Sequence, residues 1–375
     1  MRLKVEKNDL TEALRLVAGV LPPRSIHPVL SNILLSASDG ELRILGTDQD
    51  MTLEARVKGC TIEEEGSIGV PARKMNELMK ALAAGEMELS TDNTRLLISQ
   101  GKGNFHIAGV NAAEFPSVDI VKDIKDTVVM DLELLQRMIS HTSFAVSRDI
   151  ARVNFSGLYF KIAENLLTMV GTDGQRLILM RRTTESTNTP AELLIPHKTI
   201  EQIKKIFNAA DEENVTIKIG YNTLQTDVGD FSLQSKLVND SFPDYEQVIP
   251  RDNDRTAFAD ISVLESALAR VSVLTNPASN LVRFKFSEDN VTISGKDYEL
   301  GTQAEEDVPI EYKGEEFSIG FSSSNVNDVL SHIDTEEAEL SMKTPQSAVK
   351  ITPKPQLDNE TYMAILMPLR LTGEE

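Results

Sequence analysis

The sequence has 375 residues, 58 Asp plus Glu against 38 Lys plus Arg, and a formal net charge of −20. Hydrophobic residues make up 41% and charged residues 26%, an ordinary globular composition with length enough for two or three domains. No apolar run spans a bilayer, the charged start MRLKVEK lacks a signal core, and the single cysteine, Cys60, excludes an intramolecular disulfide and a multi-cysteine metal site.

A cytoplasmic protein is therefore expected. Its acidity, taken as one number, argues against a nucleic-acid partner.

In chain order, six segments repeat one grammar: a β-rich run, a polar or Pro breaker, and an amphipathic helix. MRLKVEKNDLTEALRLVAGV from Met1 carries Leu10, Ala13, Leu14 and Val17 at helical spacing, with Asn8 as the expected N-cap. GSIGVPARKMNELMKALAA from Gly66 follows, with Pro71 at the helix start and Met75, Leu78, Met79 and Leu82 as its stripe. DTVVMDLELLQRMISHTSFA from Asp126 has Asp131 as cap and Leu135, Met138 and Ile139 as core. AELLIPHKTIEQIKKIFNAA from Ala191 uses Pro196, then Ile200, Ile203 and Phe207. RTAFADISVLESALARVSVL from Arg255 has Ser262 as expected cap and Leu264, Ala267, Leu268 and Val271 as core. EEFSIGFSSSNVNDVLSHI from Glu315 closes the series with Val326, Val329, Leu330 and Ile333.

A longer period of roughly 125 residues runs through the intervening strands. Leu30–Val57 resembles Val153–Arg182, and Ser279–Val308 is a weaker third copy; each has a strand ending in G-T-D or G-K-D. Gly103–Val121 and Gly229–Ile249 share a Phe-Pro. Three domains are expected, 1–125, 126–253 and 254–375, each an α+β unit of two strand–helix halves.

The charge is partitioned along the same pattern. Over windows 8–20, 72–84, 132–145, 197–210, 262–273 and 323–333 the helices carry −1, +2, 0, +2, 0 and −1, leaving −22 on the rest of the chain. Away from each apolar stripe stands a cation or a histidine: Arg15, Lys80, His141, Lys205, Arg270 and His332. Exposed Lys and Arg usually only solvate a helix. Six equivalent positions behaving alike suggest a mildly basic helical wall that attracts phosphates without reading bases.

Enzymatic readings are weaker. Asp48, Asp173 and Asp297 recur once per repeat beside a strand end, where Asp ordinarily makes a turn. The five histidines show no metal-ligand spacing, no phosphate-binding glycine loop is present, and Cys60 has no nucleophile signature, so no cofactor, metal or catalytic residue is assigned.

The whole chain resembles the bacterial DNA polymerase III beta subunits, the sliding clamps. The resemblance is carried by the helix after Asn8, PVLSNILL, VPARK (Val70–Lys74), TDGQRL (Thr172–Leu177), SKLVNDSFPDY (Ser235–Tyr245) and the closing MPLRL. It implies three clamp domains with helices lining the inside of a ring and sheets outside. The implied function is a non-enzymatic processivity factor, a head-to-tail homodimer encircling double-stranded DNA without sequence preference.

The implied partners are the DNA polymerase III core, the clamp loader, other polymerases, and mismatch-repair and ligase clients, with no membrane. Each client would bind through a short peptide ending in Leu and Phe. The matching pocket positions are Arg152, Phe155, Thr172, Gly174, Gln175, Arg176 and Leu177, then Pro243 and Val248. Ile365, Met367, Pro368, Leu369 and Arg370 would close it, with Ser322 and Asn325 at the side.

Val153, Asn154 and Gln175 depart from the family pattern, and TGEE extends beyond Leu371. The dimer contact would set Phe105 and Ile107 against Val273 and Leu274, with Lys74 and Lys102 facing Glu305, Glu306 and Asp307. The resemblance assigns DNA contact to Arg24, Arg73, Arg148 and Lys198; the helix pattern adds Arg137, Lys204 and Lys205.

Overall fold

The computed structural model describes residues 1–22, 27–116, 121, 123–149, 151–184 and 189–371. Arg24 and the TGEE tail, both singled out above, lie outside the described residues. Six α-helices occur among the described residues: α1 Lys7–Ala18, α2 Ala72–Ala81, α3 Leu132–Ser143, α4 His197–Phe207, α5 Ile261–Ser272 and α6 Ser323–Leu330. None is long and apolar enough to cross a membrane.

The helices follow the predicted stripes, because the apolar positions recur every three to four residues and are removed from water on one side; of the α2 stripe only Met75 and Met79 are fully buried, while Leu78, and Leu82 just past the helix, are half-buried. Two of the expected caps differ. α1 starts at Lys7 with Glu6 at its N-cap, so Asn8 is already helical. At α5 the capping oxygen is Asp260 Oδ1, which accepts the Val263 N–H at 3.1 Å, while Ser262 Oγ donates to it. A carboxylate beside the helix dipole outcompetes a hydroxyl placed two residues later. Asp131 caps α3 as expected, accepting the Leu134 N–H at 2.7 Å.

Compactness groups the chain into two units, Met1–Gln136 with Lys198–Leu237, and Arg137–His197 with Val238–Glu375. The middle sequence repeat is thus divided between them.

The first unit holds a five-stranded sheet ordered Thr61–Glu64, Arg2–Glu6, Glu86–Asp92, Arg95–Gln100, Gly103–Ala108. It also holds a nine-stranded sheet in which Met51–Val57 pairs antiparallel with Phe231–Lys236. That ladder stitches the first repeat to residues of the second. Here α1 packs on α2 and on the strands Glu41–Thr47 and Met51–Val57. From α4, Gln202 donates to the Leu16 carbonyl at 2.7 Å.

The second unit repeats the scheme. Its nine-stranded sheet pairs Arg176–Thr183 antiparallel with Glu360–Leu366, joining the second repeat to the third. Its four-stranded sheet runs Thr302–Pro309, Asn290–Asp297, Leu281–Ser287, Phe317–Ser322, and α5 packs on the first two of these strands and on α6.

The expectation that six cationic or imidazole side chains share an exposed helix face holds for Arg15, Lys80, Lys205 and Arg270. His141 and His332 are instead half-buried within the second unit. There they face one another edge-on at 6.4 Å, and each sets Nδ1 on a carbonyl four residues earlier, His141 within α3 and His332 from just past the end of α6. A ring that carries one hydrogen bond per nitrogen is buried at less cost than a lysine.

Candidate functional site

The three aspartates of the repeated strand ends are turn formers. Asp48 Oδ1 accepts the N–H groups of Asp50 and Met51, Asp173 Oδ1 those of Gln175 and Arg176, and Asp297 Oδ1 those of Glu299 and Leu300. Their carboxylates are committed to backbone at the same offsets in all three repeats, which is an architectural role.

The second of these turns borders an apolar cavity of about 210 Å³ in the second unit. Its lining has three sources. Leu177 and Ile365 are opposed across the Arg176–Thr183 and Glu360–Leu366 ladder, and both point to the cavity side because residues alternate along a strand. The turn supplies Thr172, Gly174 and Arg176, with Phe155 beside them. The segment after the shared Phe-Pro supplies Phe242, Pro243, Asp244, Tyr245 and Val248, and Met367 closes the wall.

Gly174 sits at φ +86°, a conformation that an L side chain adopts only with strain. A Cβ there would also lie 3.4 Å from Arg152 Nη1 and 3.5 Å from the Phe155 ring.

The Phe-Pro wall is held to the sheet by aromatic packing and one ion pair. Phe242 stacks on Tyr159 with ring centroids 4.9 Å apart, and Tyr245 packs on both. Arg181, on the strand that carries Leu177, pairs with Glu246. Burial, followed by the charge of Glu192, pushes the Tyr159 hydroxyl up from its ordinary pKa, so it stays neutral and donates.

The opposite side of the ladder buries Ile178, Met180, Ala364 and Leu366, with charged side chains at its two ends. Arg176 places its guanidinium 3.1 Å from Asp173, 2.6 Å from Asp328 and 3.1 Å from the Phe144 carbonyl. Arg137 forks onto Glu360, with Nε and Nη2 at 3.0 and 2.8 Å, and reaches Asp334 at 2.5 Å. Arg182 adds a longer contact to Glu360 at 3.5 Å. The hydrogen bond to Glu360 holds the Arg137 guanidinium above its usual range. Burial pushes the Asp334 carboxyl up, but Arg137 and His141 outweigh it and hold it below the ordinary carboxylate range.

Nine of the predicted pocket residues line this cavity: Phe155, Thr172, Gly174, Arg176, Leu177, Pro243, Val248, Ile365 and Met367. The others surround it. Arg152 donates to the Asp173 carbonyl at 3.0 Å, and the Gln175 side-chain oxygen accepts from Asn325 at 3.4 Å. Gln175 also takes the Met367 N–H on its carbonyl at 2.8 Å, and Leu369 bridges to Gly320. Ser322 bonds Ser324 at 2.9 Å, Pro368 is half-buried, and Arg370 is exposed. Sequence reasoning missed Phe242, Asp244 and Tyr245. The signal was present in the Phe-Pro echo between the first and second repeats.

The predicted cations fall into three groups. Lys198 binds Asp48 and the Val20 carbonyl, Lys204 lies 3.3 Å from Glu201, and Arg73 and Lys74 share Glu77. Arg148 and Lys205 are exposed. Arg137 is turned onto Glu360 and Asp334, so its charge serves the second unit's interior.

Of the predicted contact residues, Phe105 and Ile107 are half-buried on Gly103–Ala108, an edge strand of the five-stranded sheet. Val273 is 79% exposed and Leu274 36%. Thr302–Pro309, which carries Glu305 to Asp307, is likewise an edge strand, and Glu306 is already paired with Arg270 of the same chain.

Three family models match in order: DNA polymerase III beta subunit N-terminal domain over residues 1–119, central domain over 129–244 and C-terminal domain over 246–370. The beta sliding clamp of Proteus mirabilis is 31% identical over 374 residues, covering 99% of this chain and all of its own. A DnaN sliding clamp from Pseudomonas aeruginosa, solved bound to griselimycin, superposes with a TM-score of 0.91 at 30% identity. A C. crescentus beta sliding clamp with polyethylene glycol at its beta-motif tethering region also gives 0.91 at 30%. In both, 99% of this chain and 100% of the other are covered.

Proposed function

The chain belongs to the DNA polymerase III beta subunit family, the beta sliding clamps, a family of non-catalytic replication factors, and from that premise we propose how its parts divide the work. Two copies join head to tail into a ring around duplex DNA, each copy contributing three clamp domains, near 1–125, 126–253 and 254–375. Helices face the DNA and sheets face outward. Arg73, Arg148, Lys198, Lys204 and Lys205 meet phosphates, and Arg24 joins them. Because the helices together carry only a small positive charge, affinity comes from enclosure, and the ring slides.

The apolar cavity carries the reading of client binding. It offers Leu177, Ile365, Phe155 and the Phe242 wall to two apolar anchors of a short peptide, with backbone and polar groups at its rim. The polymerase III core, the clamp loader, other polymerases, and mismatch-repair and ligase factors are the proposed clients, in the cytoplasm. Lys74 and Lys102 of one copy lie toward the acidic edge strand of the other, with Phe105 and Ile107 against Val273 and Leu274.

Loaded onto closed circular duplex DNA, the protein is expected to stay through a gel-filtration step and to leave once one restriction cut gives it an end. Retention on the linear product sinks the sliding mechanism.

A further inference from the structure

The Phe-Pro wall of the cavity is held by little backbone structure. Between Val238, whose N–H meets the Leu194 carbonyl, and Asp254, whose N–H meets the Met342 carbonyl, its only helical turn is Tyr245–Val248. Among the described residues, every hydrogen-bonded N–H inside this stretch meets an oxygen of Asp240 or Asp244 within it.

Seating on the sheet is therefore left to side chains. Phe242, Tyr245 and Ile249 pack on the buried cluster of Val170, Leu177, Leu179 and Ile365. Such contact is non-directional: it holds the wall down without fixing where the wall rests. Two ion pairs are directional. Lys343 holds Asp252 near the end of the stretch, past Val248, the last of its residues to line the cavity. Arg181 holds Glu246, inside the turn.

The second pair is placed to matter. Arg181 stands four residues beyond Leu177 on the strand Arg176–Thr183, hence on the same side of the sheet. Leu177, Leu179 and Arg181 make one row, with the cavity at its first member and the turn at its last. Burial lowers the pKa of the Arg181 guanidinium, but the Tyr245 hydroxyl and the Glu246 carboxylate outweigh it and hold it above its usual range. Arg181 itself does not line the cavity, whereas Tyr245 and Val248, on either side of Glu246 in the turn, both do.

We propose that Arg181 is a positioning residue for client binding: through Glu246 it fixes the Phe242–Val248 wall where the cavity stands open, so that the anchors of a peptide meet a preformed site. The inference rests on the client-binding reading above. A wall free to shift would carry Tyr245 and Val248 with it, and a peptide binds only the fraction of molecules whose cavity is open. Holding that fraction high gains affinity without any contact between Arg181 and the peptide. The two side chains are 32% and 43% exposed, so the pair adds little to global stability, and its effect falls on the position of the wall.

The test is stopped-flow anisotropy on the full chain with a fluorescein-labelled peptide ending in Leu-Phe. It compares the parent, Arg181→Glu, Glu246→Arg and the charge-swapped double variant. Each single variant sets like charges against each other and releases the turn. Its association rate constant is expected to fall roughly 5- to 10-fold while the dissociation rate stays within about 2-fold, because the open fraction drops and the bound contacts are unchanged. The swap is expected to return association to within about 2-fold of the parent. It also keeps the net charge, so electrostatic steering of the peptide drops out of that comparison. Melting temperatures are expected to move by less than about 3 °C.

An Arg181→Glu variant that associates like the parent overturns the positioning role while leaving the cavity as the client site. A loss that lies in dissociation makes Arg181 a peptide contact and overturns the role as well. A swap no faster than the single variants shows that the two side chains do not act as a pair, with the same consequence. A parent chain that fails to bind the peptide overturns the client reading itself, and the positioning role with it.

Discussion

Replacing Glu360 by alanine is expected to cost the second unit about 3 kcal/mol, the low end for removing one member of a buried ion pair. That corresponds to a melting temperature lower by roughly 6–12 °C. Glu360 is 8% exposed and is the shared acceptor for Arg137 and Arg182. Without it, the Arg137 and Arg182 guanidinium groups both lose their shared carboxylate and their desolvation is left uncompensated. Asp334 still faces Arg137 from a more exposed position, which keeps the loss at the low end.

The double replacement Arg137→Met, Glu360→Met should recover much of the stability, because two apolar side chains fill the site without leaving a charge behind. Calorimetry of the two single variants and the double gives the coupling. Single variants within about 0.5 kcal/mol of the parent would mean the network is solvated and carries little.

Val248→Asp is expected to weaken binding of a Leu-Phe client peptide at least ~100-fold while the melting temperature barely moves. Val248 is 50% exposed, so the fold does not depend on its burial, yet it lines the apolar cavity opposite Leu177 and Ile365. A carboxylate there must keep its water, and a docking apolar anchor would remove it. Asp244 already stands at the cavity wall, and a second acid adds repulsion to the desolvation cost. Fluorescence anisotropy with a labelled peptide reads the affinity. Binding equal to the parent would place the client site elsewhere.

The sequence was most legible where geometry is periodic. Alternation along Arg176–Thr183 and Glu360–Leu366 puts Leu177 and Ile365 on one side and Arg182 and Glu360 on the other, and the helical stripes put Leu264 and Val271 in the core. Contacts that depend on distant partners were not legible. Nothing local indicates that Arg137 meets Glu360, 223 residues away, so a cation on a helix read as an outward one.

His141 misled for the same reason, since an imidazole satisfied by its own helix and a neighbouring aspartate can be taken inside; His332 follows it, set on the Asp328 carbonyl and packed against the His141 ring. The aromatic wall of Phe242 and Tyr245 was half legible: its Phe-Pro signal repeats, but its stacking partner Tyr159 lies 83 residues before Phe242, on the strand Gly157–Ala163. Pinned turns were read correctly as turns.

The two ladders that cross repeat boundaries make the middle third impossible to excise cleanly. Cutting out residues 126–253 would strip Phe231–Lys236 of Met51–Val57 and Arg176–Thr183 of Glu360–Leu366, baring two strands at once. Unpaired edges of that kind template intermolecular pairing. Such a fragment should collect in the insoluble fraction on expression, whereas the intact chain stays in the supernatant. The three repeats are in this way mutually dependent, each boundary being sealed by a strand pair that neither neighbour can supply alone.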